Sequence, residues 1–158
     1  MALKSKIPFR EKLDKPESPQ YIQIKPEQEK RWGKGIMVIS TPREIQDIIR
    51  SIPTGKLLTM DSLRNIISLK HNVDITCPLT TGIFLRILAE ACEESRNQNI
   101  TKDFVTYWRV LQKDGSINPK FPGGLIFQSQ LLESEGFHII KKGENKYFVS
   151  NFQSYILH

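Results

Sequence analysis

From position 41 onward the apolar residues recur with two periods, one helical and one suited to strands. Ile45, Ile48, Ile49 and Ile52 stand at i, i+3, i+4 and i+7, which is one apolar stripe of a helix. Thr41-Pro42-Arg43-Glu44 precedes the stripe with a hydroxyl cap, a proline at the first helical position and a glutamate three residues after the cap. Pro53 and Gly55 close it, so the pattern predicts a helix over 42–51. Leu63, Ile66 and Ile67 form one face of a second helix, opened by Thr59 or Asp61 and ending near His71-Asn72. A third and longest helix runs from Cys77-Pro78 to Glu94, with Ile83, Ile87, Leu88 and Ala91 on its buried side and Thr80, Thr81 and Arg86 elsewhere.

Beyond the polar stretch from Ser95 to Asp103, residues 104–111 are rich in β-branched and aromatic side chains and predict a strand. Lys113 to Ser116 supplies a turn and Asn118 to Gly124 a loop; a fourth helix occupies about 125–135 and ends at Gly136. Residues 137–141 and 146–149 predict a hairpin across Gly143, and Gly35 to Ile39 is a short apolar run suited to a strand or a buried lead-in. Residues 1–35 carry Pro8, Pro16, Pro19 and Pro26 among alternating charges without a sustained period. They read as an extended basic arm. It either drapes over the domain or straps phosphate through Lys4, Lys6, Arg10, Lys12 and Lys15. The expected fold is α+β, a winged helix-turn-helix domain over 36–150 with the hairpin as its wing, followed by a tail over 151–158. Helical bundles share the first part of that layout, and the later strands decide between the two.

Composition narrows the partners. The chain has 158 residues, 39% of them apolar, enough for a core, and 23 Lys and Arg against 17 Asp and Glu give +6, which favours a polyanion. Its two cysteines, Cys77 and Cys92, have no Cys/His cluster beside them, so no metal is expected. Along one helix their sulfurs would lie roughly 20 Å apart, too far for a disulfide, and reduced thiols point to the cytoplasm. No apolar stretch long enough for a secretory leader or a membrane span is read in the sequence. Gly33-Lys34-Gly35 lacks the frame of a phosphate-binding loop, and no cofactor is expected.

Six segments carry a resemblance when taken in order. They are Ile52-Pro-Thr-Gly-Lys56, Tyr107-Trp-Arg-Val110, Asp114-Gly115, Phe121-Pro-Gly-Gly-Leu125, Gln128 and Leu131-Leu-Glu-Ser-Glu-Gly136. Over about 45–140 this order and spacing resemble the DNA-binding domain of O6-alkylguanine-DNA alkyltransferases. In that family a Pro-Cys-His-Arg motif carries the acceptor thiol, and a glutamate near the end of the last helix orients the histidine. Here the run is Thr106-Tyr-Trp-Arg109: Tyr107 stands at the acceptor position and Trp108 at the histidine, while Arg109 and, by position, Glu135 are retained. The family's arginine that intrudes into the base stack falls on Gly82, and its phosphate-turning tyrosine falls on Met60.

The resemblance therefore implies a non-catalytic DNA-binding protein in a DNA repair setting, similar to the alkyltransferase-like proteins that bind lesions without repairing them. Its implied partner is duplex DNA, alkylated or distorted. Thr80, Thr81, Gly82 and Arg86 are the candidate DNA contacts, at the start of the presumed recognition helix. Tyr107, Trp108, Pro122, Gly123 and Gly124 are candidates for a base pocket; strand alternation would turn one of the two rings inward and the other toward the pocket. Arg109 and Glu135 are assigned structural roles. Two other readings stay open: an alkyl acceptor at Cys77, where a helix N-terminus lowers a thiol pKa, and a protein-interaction module that has lost DNA binding.

Overall fold

Thr41 opens a helix as its sequence predicts, its Oγ1 accepting from the Glu44 N–H at 3.2 Å. Thr59 opens the next reciprocally: Thr59 Oγ1 accepts from Ser62 N, and Ser62 Oγ accepts from Thr59 N at 2.7 Å. In the computed structural model, which describes residues 5–102 and 104–157, these caps sit within an α+β chain of six helices and seven short strands among the described residues. In order they are α1 (Phe9–Asp14), β1 (Gln20–Gln23), α2 (Glu29–Trp32), β2 (Ile36–Ile39), α3 (Pro42–Arg50), β3 (Leu58–Thr59), α4 (Met60–His71) and β4 (Ile75–Thr76). There follow α5 (Pro78–Asn97), a 3-10 turn at Tyr107–Arg109, β5 (Val110–Leu111), α6 (Gly124–Ser134), β6 (Ile139–Lys141) and β7 (Tyr147–Val149).

One core holds these elements. Ile45, Ile49 and Ile52 of the first stripe meet Leu63 and Ile67 of α4, Leu85 and Leu88 of α5, Val110 and Leu111 of β5, and Leu132 of α6. The strands are too short to form a broad sheet: β1 pairs antiparallel with β2 and β2 parallel with β4, β3 pairs parallel with β5, and β6 with β7 makes the expected hairpin. That hairpin is tied back to the loop after β5, because Ile117 N donates to Tyr147 O and Val149 N donates to Gly115 O. Gly115, at φ +82°, has no room for a Cβ, which would strike the Phe152 ring. No helix among the described residues is long and apolar enough to cross a membrane.

Three expectations change. First, the N-terminal segment is not an extended arm. Phe9 and Leu13 of α1 are buried in the core, and β1 joins the sheet. The amides of Phe9 and Arg10, which open α1, donate to the Glu94 carboxylate at 2.9 and 3.1 Å, so the cap comes from α5 and leaves no local signature. Lys6 and Lys15 are exposed, Lys12 lies over the Phe9 ring, and Lys4 falls outside the described residues. Second, residues 104–111 are mainly not a strand. Tyr107, Trp108 and Arg109 each bond a carboxylate off the ladder, the backbone turns in a 3-10 step, and only Val110–Leu111 pair. Third, the buried face of α5 is Thr81, Leu85, Leu88 and Cys92, which leaves Ile83 outside.

Candidate nucleic-acid interface

The start of α5 is set where the chain leaves β4 against β2: Cys77 N donates to Val38 O of β2 at 2.9 Å and Pro78 occupies the first helical position. From there the helix turns Thr81 inward. Its Oγ1 donates to Cys77 O at 2.7 Å and the residue is 0% exposed, so Thr81 touches the core and not a ligand, contrary to the expectation. Thr80, one position earlier, is half-buried. The outer face carries Leu79 and Ile83, each 56% exposed, and between them Gly82, where an added Cβ would meet nothing within 4 Å.

A cleft of about 370 Å³ lies along this face. It brings together Gly82 and Arg86 of α5, Met60 at the start of α4, Gln112 after β5, and Asn118 and Lys120 from the loop before α6. Among the described residues lining it there is no Asp or Glu, so Arg86 and Lys120 give it a net positive rim. Sequence reasoning found Gly82 and Arg86 but missed Leu79, Ile83, Gln112, Asn118 and Lys120. The signal available was that Leu79 and Ile83 lie one turn apart on the side opposite Leu85 and Leu88. The loop residues have no signal of their own, because the cleft assembles from four separate segments.

The expected base pocket around Tyr107 and Trp108 is closed. Tyr107 is 0% exposed; its ring stands edge-on to Trp108 and Phe121 with centroids 5.4 and 5.2 Å away, and its hydroxyl donates to Glu93 at 2.8 Å. Burial pushes this phenol far above its ordinary pKa, and the Glu93 carboxylate it bonds pushes it further, so it stays protonated. Trp108 is also buried, with Nε1 donating to Glu135 Oε2 at 2.6 Å. Both rings turn inward because a 3-10 step, unlike a strand, does not alternate sides. Pro122, Gly123 and Gly124 form the turn into α6, with Gly123 at φ +78°, where an added Cβ would strike the Phe127 side chain, and they do not line the cleft.

Arg109 joins three elements. Its Nε donates to Glu135 Oε1 at 2.8 Å, its Nη2 pairs with the same carboxylate, and Nη1 donates to Ile52 O at 3.0 Å. Gln128 of α6 donates to Trp108 O and accepts from Asn118 N, which fixes the loop that walls the cleft. Cys77 is buried beside Ile24 and Met37, away from the cleft surface, and Cys92 is buried in the main core. The β6–β7 hairpin exposes Lys141, Lys142 and Lys146, whose ammonium groups lie 5.0–5.7 Å from the centres of the Tyr147 and Phe148 rings. Lys146 also pairs with Asp114, whose carboxyl is held at about 2 by hydrogen bonds from Ser116 and by Lys146.

No protein-family model matches the sequence, and no curated protein is significantly similar to it. Two crystal structures match its fold: S. pombe Atl1 in complex with damaged DNA containing O6-carboxymethylguanine, and S. pombe ATL in complex with DNA. Each aligns with a TM-score of 0.52 at 18% identity, over 74% of this chain and 94% of that chain. The chain thus shares the fold of these alkyltransferase-like proteins, and at this identity the likeness is one of fold.

Proposed function

We propose that this chain is a non-catalytic DNA-binding protein that engages alkylated or distorted duplex DNA through a winged helix-turn-helix. In this reading α4 and α5 are the helix pair, with α5 as the recognition helix, and the β6–β7 hairpin is the wing. The observation that carries it is the cleft beside Gly82: a positive rim of Arg86 and Lys120 around an apolar helix face, in a fold shared with proteins crystallised on DNA. Thr80, Gly82 and Arg86 are then DNA contacts, and Lys141, Lys142 and Lys146 reach phosphate from the wing.

The non-catalytic half of the proposal rests on Tyr107. It occupies the acceptor position of the resemblance, its hydroxyl is protonated and engaged by Glu93, and no base stands where Trp108 replaces histidine. Cys77, the other candidate acceptor, is buried. The test is a titration of a labelled duplex with and without one O6-methylguanine at several salt concentrations, followed by weighing the intact protein. Binding that weakens steeply between about 50 and 200 mM salt, with no added methyl mass, is the expected result. A stoichiometric mass gain would refute the non-catalytic assignment, and absence of salt-dependent binding would refute DNA as the partner.

A further inference from the structure

We infer that Leu79 and Ile83 form an apolar wedge that enters the duplex between two base steps, so that this protein selects distorted DNA by the weakness of its stacking and not by the chemistry of an adduct. The inference rests on the DNA-binding reading above and adds to it the part that does the selecting.

Three observations converge on the pair. Leu79 and Ile83 are one helical turn apart on α5, each 56% exposed, in a chain whose other long aliphatic side chains on this helix pack inward. The backbone between them is bare, because Gly82 carries no side chain and a Cβ there would project into open space. A surface can therefore approach this turn closely, with the two aliphatic tips as its leading points. Around them the cleft offers apolar Met60, the amide residues Gln112 and Asn118, and the cations Arg86 and Lys120, with no carboxylate among the described lining residues.

An apolar centre inside a cationic rim is complementary to a duplex, whose stacked bases are apolar and whose backbones are anionic. Aliphatic side chains pushed between base steps unstack them and kink the helix by about 20–90°. Unstacking costs least where pairing is already weak, at a mismatch or beside an alkylated base. A wedge therefore gives preference for distorted DNA without an open pocket for the lesion, which accords with the closed packing of Tyr107 and Trp108.

The experiment uses the full chain and three duplexes: matched, carrying a G·T mismatch, and carrying O6-methylguanine. Each has 2-aminopurine beside the central pair and a fluorophore pair at the ends. The expected result for the native protein is a rise in 2-aminopurine fluorescence and a shortened end-to-end distance. The mismatched duplex should bind within about threefold of the alkylated one, and both should bind more tightly than the matched duplex. Leu79→Ala with Ile83→Ala should keep the thermal midpoint, lose the fluorescence rise, and bind the three duplexes with affinities that no longer differ by more than about threefold. Ile83→Lys alone, a change at an exposed position that keeps the helix, should still bind duplex through phosphate but lose the fluorescence rise. Native binding without unstacking, unstacking that survives both variants, or strong preference for O6-methylguanine over the mismatch would overturn the wedge and leave the DNA-binding reading standing. Failure of the native chain to bind any of the duplexes would overturn both.

Discussion

Trp108 Nε1 donates to Glu135 Oε2 at 2.6 Å, and the same carboxylate accepts from the Arg109 guanidinium. Trp108 offers an indole N–H with no basic lone pair, and the Glu135 carboxylate is engaged by both neighbouring side chains. Together these bonds brace the turn before β5 to the end of α6 and to the carbonyl of Ile52.

Glu135→Gln is expected to cost about 3 kcal/mol, because it leaves the buried Arg109 charge without its partner. Urea denaturation measures it. A loss below about 1 kcal/mol would show that the guanidinium finds water or another acceptor and that the brace is incidental.

Thr81→Glu, a change that a surface threonine at a helix start would tolerate, should instead unfold much of the population. The site is wholly buried and its hydroxyl is bonded to Cys77 O, so a carboxylate there is desolvated without a partner. A loss of about 3–5 kcal/mol in stability, read from thermal or chemical denaturation, is expected, whereas a normally stable variant would show that α5 presents a different face.

Glu44 gives the stability a dependence on acid. Burial alone would raise its pKa, but hydrogen bonds from Ser40, Lys70 and His71 outweigh that and hold it below the ordinary 4.5. A carboxylate with a depressed folded pKa contributes stability that is complete above the unfolded value and is lost as pH falls through the folded one. The native chain should therefore lose thermal stability on acidification below about pH 4.5 more steeply than Glu44→Gln. Parallel curves for the two would remove Glu44 as the cause.

If the hairpin is the wing, Lys141→Gln with Lys142→Gln should weaken binding to all duplexes alike. Each phosphate contact removed lowers the steepness of log K against log salt by about 0.9, so the pair should lower it by about 1.8. An unchanged slope would place the hairpin off the DNA.

The helix starts were legible because their caps are local: Thr41 with Glu44 and Thr59 with Ser62 lie within one turn of sequence. The hairpin was legible for the same reason. The failures share a different cause. The cap of α1 comes from Glu94, and the turn of 107–109 is dictated by Glu93 and Glu135. In both places a distant carboxylate decided the backbone. On α5 the apolar residues occupy both sides, so the pattern shows the helix but not its phase: it puts Ile83 inward and Thr81 outward, the reverse of the structure. The cleft could be approached only through Gly82 and Arg86, since its remaining wall comes from the start of α4, the residue after β5 and the loop before α6.

The bond from Glu94 to the first turn of α1 has a further consequence for how the molecule opens. A helix of six residues would fray freely on its own, yet its two leading amides are held by a side chain 85 and 84 positions away, and Phe9 and Leu13 lie in the main core. The amide protons of Phe9 and Arg10 should therefore exchange with solvent at the rate of cooperative opening, alongside those in the middle of α5, and not at the rate of a loose chain end.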